Sequence, residues 1–313
     1  QGLRLKEQLS AKFWSDLIHF EGNANAFRLL THRFNGRRAG GFVMTYTMLA
    51  SIVKYPFESA AAVKKAKFGF FASEAATYCK IADELGIIRL SAPNEPLRFA
   101  RHPLVYLVEA ADDICYEVMD IEDSHKLKIL SFEETEDLLL GFFDEEGKQR
   151  IKRRIEEEGV TDVHEKVVYM RACVIGLLEH KCVEAFVANE QKLLDGTLQG
   201  CLIDNISQLE REAYRRCEAV SRKKIYNSKP VLDVELSGYT IMETLLTALV
   251  EAAAEPKRYY STQLIQRFSS QYDINSENLE TRIQAVIDYI SGMTDLFALD
   301  VYQKIKGISL PIV

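Results

Sequence analysis

The sequence predicts an all-α protein, and three observations lead to that fold class. The chain of 313 residues contains 16 Gly and 7 Pro, fewer than the roughly 22 and 16 expected at average usage of about 7% and 5%. A shortage of both helix breakers favours long helices. Apolar residues recur at steps of three and four in most segments. No stretch alternates long enough to indicate a sheet, although "KPVLDVEL" at 229–236 is compatible with a short strand or an extended connector.

Composition limits the classes of protein that fit. Hydrophobic residues make up 47% of the chain, enough for a large core or two fused domains. The net charge of -7 argues against a nucleic-acid footprint over the whole surface. Six cysteines without a CxxC pair indicate reduced core residues. No apolar run approaches membrane length and no signal-like segment precedes the first helix, so we expect a soluble cytoplasmic protein with no membrane contact.

The helices can be predicted in chain order. "LKEQLSAKFWSDL" and "MTYTMLASIVKYP" have helical periodicity, and Pro56 ends the second. Gly86 is well placed as a C-terminal glycine cap, and Pro103 suits the first turn of the following helix. "SFEE" at 131–134 is typical of a capping box. Further helices are expected over about 165–190, 198–218, 238–254 and 279–305.

The helix "VEAADDICYEVMDIED" at 108–123 carries an unusual carboxylate. Its apolar stripe comprises Leu104, Val108, Ala111, Cys115 and Met119. Asp112 falls on this predicted inner face, and Asp112, Tyr116 and Asp120 form a slanted row one turn apart. An ionised carboxylate is seldom buried unless it pairs with a base, accepts several hydrogen bonds or binds a metal. The residues alone leave a metal ligand and a paired structural acid as alternatives.

Two charged or glycine-rich segments mark candidate boundaries. They are "NGRRAGGF" at 35–42 and "DEEGKQRIKRRIEEEG" at 144–159. The second predicts a division into residues 1–143 and 144–313. Alternating charge on an exposed helix would give the same pattern.

Five sequence blocks carry a resemblance to a known family. They are "FEGNANAFRLLTHR" at 20–33, "GGFVMTYTMLASIVKYP" at 40–56, "KFGFFASE" at 67–74, "HPLVYLVEAADDICYEVMDIEDSHKL" at 102–127 and "DYISGMTD" at 288–295. Together they resemble the deoxyguanosine triphosphate triphosphohydrolases of the HD superfamily. The blocks keep the family's order over most of the chain.

The resemblance implies an all-helical, homo-oligomeric enzyme that hydrolyses a deoxynucleoside triphosphate to the deoxynucleoside and triphosphate. Residues 1–143 would be the C-terminal portion of the HD-type phosphohydrolase domain, and 144–313 a helical C-terminal region. A divalent metal is implied, with Mg²⁺ or Mn²⁺ best suited to phosphate oxygens and Fe, Co or Ni as alternatives. Arg37 and Arg38 are compatible with a phosphate or a nucleic-acid effector, or with a solvated loop.

The resemblance also implies roles for the acidic row. Asp112 matches the family's later metal-ligating Asp, which would account for an inward carboxylate. Tyr116 and Asp120 match positions that contact the deoxyribose. There, a carboxylate accepting from the 3′-hydroxyl beside a stacked ring would leave no room for a 2′-hydroxyl. The alternative is that Tyr116 is a core tyrosine with its hydroxyl hydrogen-bonded, and that Asp120 is an exposed acid.

A triphosphate carries about four negative charges and needs cations or backbone donors around it. Lys54, Tyr55 and Lys67 match family positions beside the phosphates, although lysines in such segments are commonly just solvated. Asn23 is a further candidate for a substrate contact, with a helix N-cap as the alternative.

The sequence departs from the family at the histidines. None of the six is followed by Asp, whereas the family's His-Asp pair and another His lie upstream of "FEGNA". We therefore expect that the N-terminal portion is lacking, that the catalytic residues lie upstream of Gln1, and that this chain alone is inactive. A catalytically silent regulatory or assembly protein is the alternative. A phosphohydrolase of mono- or cyclic nucleotides is disfavoured, because the matching blocks extend far beyond Asp112.

Overall fold

The computed structural model describes residues 4–39, 41–62 and 67–308. These residues are mainly helical. Extended pairing among them is limited to two isolated antiparallel bridges, Phe57 with Arg98 and Arg89 with Phe99. The prediction of an all-α fold is confirmed. None of the described helices has the length and apolar character that crossing a membrane requires.

The helices of the described residues are numbered in chain order. Their bounds are α1 Leu5–Gln8, α2 Ala11–Ile18, α3 Gly22–Thr31, α4 Tyr46–Ile52, α5 Ala75–Leu85, α6 Pro103–Lys126, α7 Phe132–Leu140, α8 Glu145–Glu157, α9 Val163–Ala188, α10 Glu190–Leu194, α11 Gln208–Val220, α12 Lys229–Ala254, α13 Tyr259–Ile265, α14 Leu279–Ser291 and α15 Asp295–Lys306. Short 3₁₀ turns lie at Ser59–Ala61 and Ile203–Asn205, and a π-helical turn lies at Ser221–Ile225.

Local capping explains several helix ends. Ser131 and Glu134 form the predicted capping box at the start of α7. Gly86 ends α5 in the left-handed conformation, with φ of 66°, which glycine adopts without steric cost. Pro103 occupies the first turn of α6, and the His102 ring accepts a hydrogen bond from an amide of that turn. His102 is thus a helix cap.

Three boundaries differ from the prediction. The segment 229–236 is the beginning of α12 and not a strand, because Pro230 sits in the first helical turn, where its missing N–H is not needed. The helix predicted over 198–218 begins only at Gln208. The helix predicted over 279–305 is two helices, since α14 ends before Gly292 and Thr294 caps α15.

The chain divides into two compact units. The first combines residues 1–100 with 234–313, and the second is the continuous segment Arg101–Asp233. One core cluster of the first unit surrounds Phe27, Phe70 and Tyr78, and another surrounds Leu249 and Val286. The predicted boundary at 143/144 falls between α7 and α8, inside the second unit, and stays a prediction about domains.

The second unit is organised by its two long helices, α6 and α9, which pack against each other. The side of α6 facing the core presents Tyr106, Ala110, Ile114, Val118 and Ile121. From α9 come Val167, Met170, Val174 and Leu178. These side chains bury one continuous apolar face of each helix and fix the rotation of α6.

That rotation contradicts the predicted inner face of α6. Leu104 and Val108 are 37% and 38% exposed, and Asp112 and Cys115 are exposed as well. Apolar residues occur on two sides of α6, so a spacing of three and four residues is compatible with either side being buried. The side that contains Ile114 is the one that packs against α9. Asp112 is therefore not a buried acid within this chain.

The prediction of core cysteines is also only partly right. Cys182 and Cys217 are buried, whereas Cys115 is exposed. All six thiols are free. Burial raises the pKa of Cys182 to about 11, so this thiol stays protonated near neutral pH.

Candidate functional site

The predicted row of α6 lies on an accessible side of the second unit. Asp112 is exposed, Tyr116 is 64% exposed and Asp120 is half-buried. Asp112 and Tyr116 line a cavity of about 240 Å³. A ligand can therefore reach these side chains without any movement of the core. The periodicity of the sequence predicted a buried Asp112, whereas in the structure Asp112 is exposed.

The cavity lies between α6 and the segment from α11 to Tyr226 of the second unit. It is lined by Asp112, Asp113, Tyr116 and Glu117 of α6, by Tyr214 and Glu218 of α11, by Arg222 of the π-helical turn and by Tyr226. Four carboxyl groups face one guanidinium, so the cavity suits hydroxyl donors or cations better than phosphates. Sequence reasoning found only the α6 wall, because nothing local links α11 to it.

Asp120 has a partner that the sequence did not reveal. The Tyr226 hydroxyl donates a hydrogen bond of 2.8 Å to Asp120 Oδ2. Burial raises the pKa of Asp120, and the hydrogen bond from Tyr226 opposes that rise. Among the described residues no donor bonds to Oδ1. One oxygen of Asp120 is thus held by the protein, and the other is left for a further donor.

A second contact joins the same two elements one turn earlier on α6. Ser221 Oγ donates to Glu117 Oε1 at 2.7 Å, and the two residues are 0% and 6% exposed. Burial raises the pKa of Glu117 to about 7, with Glu218 and Asp120 adding to the rise and Ser221 and Arg222 opposing it. Glu117 therefore gains or loses its proton near neutral pH.

The π-helical turn places both partners against α6. Its hydrogen bond runs from the Tyr226 amide to the Ser221 carbonyl at 3.0 Å, and π turns are frequent at functional sites. Ser221 and Tyr226 lie at its two ends and contact α6 at Glu117 and Asp120. Such a turn has no simple sequence signature, so these contacts could not be predicted.

The candidates for phosphate contacts lie in the first unit. Lys67 Nζ donates to Glu21 Oε1 at 2.6 Å, and Asn23 Nδ2 donates to Glu21 Oε2 at 2.7 Å. Tyr55 lies close enough to raise the pKa of Lys67 slightly, after the larger effect of the hydrogen bond to Glu21. Lys54 precedes Tyr55 in the same half-buried segment. The structure thus brings Asn23 and Lys67 together at a residue that sequence reasoning missed.

Glu21 is also the cap of α3. Its carboxylate accepts a hydrogen bond from the backbone amide of Asn23 at 2.7 Å. Glu21 is therefore the N-cap, and the alternative reading of Asn23 as the N-cap is wrong. Burial would raise the pKa of Glu21, but the hydrogen bonds from Lys67 and Asn23 outweigh burial and lower it. Glu21 is therefore ionised at neutral pH and offsets the charge of Lys67.

Three of the blocks that carry the family resemblance meet in a buried ion triad. Arg28 donates through Nε and Nη2 to the two carboxylate oxygens of Asp288, at 2.8 and 2.7 Å. Its Nη1 donates to Glu74 at 2.6 Å. All three side chains are 4–5% exposed. These residues connect α3 with α14 and with the residue that precedes α5, and a bidentate geometry makes the Arg28–Asp288 contact directional.

The residues described do not complete a metal site. Within segments 4–39, 41–62 and 67–308, no group of three or more His, Cys, Asp or Glu side chains is arranged to hold an ion. Asp112 offers carboxylate oxygens only, whereas a divalent cation such as Mg²⁺ takes about six ligands. Asp112 can therefore supply only part of the coordination shell of such an ion, and water, substrate oxygens or further side chains would have to complete it.

The basic loop lines a separate cavity of the first unit. This cavity, of about 800 Å³, includes Arg37, Arg38, His32, Phe34 and Tyr272 in its wall. Cationic and aromatic groups together suit phosphates and stacked bases. The nucleic-acid effector stays a prediction.

The chain is similar to known phosphohydrolases. Residues 205–304 match the family described as a phosphohydrolase-associated domain. A deoxyguanosinetriphosphate triphosphohydrolase-like protein of Pseudomonas aeruginosa is 34% identical over 317 residues, covering 97% of this chain and 69% of the relative. A protein of the same description from Synechocystis is 30% identical, with coverages of 95% and 67%. A deoxyguanosinetriphosphate triphosphohydrolase of Yersinia pestis is 26% identical, with coverages of 96% and 66%.

Proposed function

Because the chain belongs to the family of deoxyguanosinetriphosphate triphosphohydrolase-like proteins, we propose that the polypeptide carrying it hydrolyses a deoxynucleoside triphosphate to the deoxynucleoside and triphosphate. The observation that supports this most directly is the accessible row of Asp112, Tyr116 and Asp120 beside an acidic cavity. The names of the relatives make dGTP the first substrate to test. They also favour a hydrolase over a silent assembly protein.

We assign the deoxynucleoside end of the substrate to the α6 row. Asp120 would accept a hydrogen bond from the sugar 3′-hydroxyl through its Oδ1 atom. The exposed ring of Tyr116 would lie flat against the sugar and exclude a 2′-hydroxyl. A site that hydrogen-bonds a substrate hydroxyl rejects analogues that lack it strongly, because its polar group is then left unpaired.

The proposed reaction breaks the bond between the α-phosphorus and O5′. A water molecule attacks the α-phosphorus, its oxygen remains on the triphosphate, and a proton reaches the 5′-hydroxyl of the departing nucleoside. Lys54, Tyr55, Lys67 and Asn23 are proposed contacts of the phosphates, with Lys67 shared between them and Glu21. Asp112 is proposed as one ligand of a divalent ion, with Mg²⁺ or Mn²⁺ as the first choices.

A homo-oligomer is the proposed assembly. Several large apolar side chains of α12 and α15 are exposed in the single chain, namely Val234, Leu236, Tyr239, Met242, Leu296 and Phe297. Exposed apolar surface of this kind is typical of protein interfaces. A second copy of the chain is the occupant that the family resemblance favours.

The function is tested with the complete natural polypeptide. Incubation with dGTP and Mg²⁺ or Mn²⁺ should release deoxyguanosine and triphosphate in equal amounts, measured by anion-exchange chromatography. Asp112→Ala should abolish the release while circular dichroism stays helical. Asp195→Ala is the matched control, because this exposed acid lies outside the cavity lining, and it should leave the rate unchanged. Absence of product from the wild-type protein would favour the silent assembly protein.

A further inference from the structure

Two hydrogen bonds tie α6 to the segment 221–226 at points about one turn apart. Glu117 accepts from Ser221, and Asp120 accepts from Tyr226. The backbone between the two donors is closed by the hydrogen bond of the π turn. The segment that carries Tyr226 is therefore attached to α6 at both of its ends.

We propose that Tyr226 is a positioning residue for recognition of the sugar 3′-hydroxyl. By donating to Asp120 Oδ2, the phenol fixes the carboxylate so that Oδ1 points to the ligand. This inference rests on the proposed function, in which Asp120 accepts from the deoxyribose. It adds a residue that lies 106 positions from Asp120 in the sequence and outside the α6 motif.

The rotation of the carboxylate is the degree of freedom that Tyr226 removes. The χ2 torsion of an aspartate is broad and roughly two-fold, so an unrestrained Asp120 would present its oxygens in many directions. A charge-assisted hydrogen bond at 2.8 Å restricts that torsion before the ligand arrives. Because orientation is settled in advance, less of the binding free energy is spent on ordering the side chain.

The phenol also keeps its donor role over the whole useful pH range. Burial raises the pKa of Tyr226 above its ordinary value, and the hydrogen bond to Asp120 raises it further. The phenol of Tyr226 therefore stays protonated at neutral pH. Its hydroxyl therefore retains the proton that it donates to Asp120 Oδ2.

The test compares ligands that differ only in the 3′-hydroxyl. Wild-type protein and Tyr226→Phe are titrated calorimetrically with deoxyguanosine and with 2′,3′-dideoxyguanosine, and kcat/KM is measured for the corresponding triphosphates. The wild type should prefer the ligand with the 3′-hydroxyl. Tyr226→Phe should lose about tenfold in binding and in kcat/KM for that ligand, with less than a twofold change for the dideoxy ligand.

Tyr106→Phe is the matched control. Its hydroxyl also donates from a buried phenol of the second unit, to the Leu198 carbonyl at 3.0 Å, but far along α6 from Asp120. It should leave the ratio between the two ligands unchanged. If Tyr226 had a merely structural role, Tyr226→Phe would lower the affinity and kcat/KM equally for both ligands. That result would overturn the proposal.

The remaining outcomes separate this inference from the proposed function. If the wild type releases triphosphate but does not distinguish the two ligands, the function stands and the role of Tyr226 is overturned. If Tyr226→Phe keeps the wild-type preference, the role is overturned too. If the wild type shows no hydrolysis yet prefers deoxyguanosine in calorimetry, and Tyr226→Phe loses that preference, the positioning role stands while the reaction is refuted.

Discussion

Glu117 is the residue whose ionisation should be visible in the stability of the protein. Its side chain is 6% exposed, and burial raises its pKa from 4.5 to about 7. Between those pH values the native chain holds a proton that the unfolded chain has released. The free energy of unfolding therefore falls as the pH rises through this range, by up to roughly 3 kcal/mol.

Glu117→Gln should remove this pH dependence. The amide oxygen can still accept from Ser221, but it carries no charge to desolvate. We expect the variant to match the wild type near pH 4.5 and to be about 2 to 3 kcal/mol more stable at pH 8. Urea denaturation at both pH values measures the difference. Equal stability of the two proteins at pH 8 would refute the assigned environment of Glu117.

Glu21 is expected to moderate the affinity of the first unit for phosphates. Since it pairs with Lys67 at 2.6 Å, an incoming anion must share that ammonium group. Glu21→Gln should keep the cap and the contact with Asn23 while raising the affinity for inorganic triphosphate about three- to tenfold at low salt. Calorimetry measures the affinity.

The control for this substitution is Glu84→Gln. Glu84 is an exposed acid of α5, so its replacement changes the net charge equally without touching Lys67. If both variants bind triphosphate equally well, a general charge effect explains the result and Lys67 is not a phosphate contact.

At the residue scale, sequence reasoning reached only what lies on one helix. The spacing of Asp112, Tyr116 and Asp120 follows from helical geometry, so their common row could be predicted. Tyr226 could not, because its hydrogen bond joins residues 106 positions apart and depends on a π turn. Glu21 was missed because Asn is the commoner N-cap, whereas in the structure Glu21, two residues before Asn23, caps α3.

Among the elements, α3 and α14 depend on each other through Arg28. Its guanidinium forms both hydrogen bonds to Asp288 and a third to Glu74, all in buried surroundings. Arg28→Ala should leave two buried carboxylates without their base, at a cost of about 3 to 5 kcal/mol. Urea-induced unfolding followed by circular dichroism measures this loss.

Arg33→Ala supplies the comparison, because Arg33 is exposed and its hydrogen bond, of 3.2 Å, goes to the carbonyl of Arg37 rather than to a buried carboxylate. This control should change stability by less than about 0.5 kcal/mol. Equal stability of both variants would show that the triad contributes nothing net, as some buried ion pairs do.

The elements also show where periodicity is insufficient. On α6 the apolar residues occupy two sides, and only the packing against α9 chooses between them. On α12 the sequence of segment 229–236 is compatible with a short strand or an extended connector, but proline is accepted in a first helical turn. Capping was more informative, since the Ser131 capping box and the Gly86 end were both predicted and both confirmed.

For the whole molecule, the exposed apolar side chains of α12 predict self-association. Val234 and Leu236 are 72% and 69% exposed. We expect light scattering of the complete polypeptide at micromolar concentration to give a mass several times that of one chain. Leu236→Asp should lower that mass by placing a charge in the interface.

Leu127→Asp is the control for assembly. Leu127 is 59% exposed and follows α6, away from the apolar surfaces of α12 and α15 in the sequence. Its substitution should leave the mass unchanged. A monomeric wild type would refute the proposed oligomer.

The discontinuous first unit has a consequence for synthesis on the ribosome. Arg28 and Asp288 are separated by 260 positions, so at about 5 to 20 residues per second Arg28 waits roughly 13 to 50 s for its partner. The second unit, by contrast, is one uninterrupted stretch and can pack as soon as it emerges. The middle of the chain should consequently mature before its beginning. Until residues 234–313 are made, the surfaces of the first hundred residues that later contact them are exposed, and chaperones can bind there.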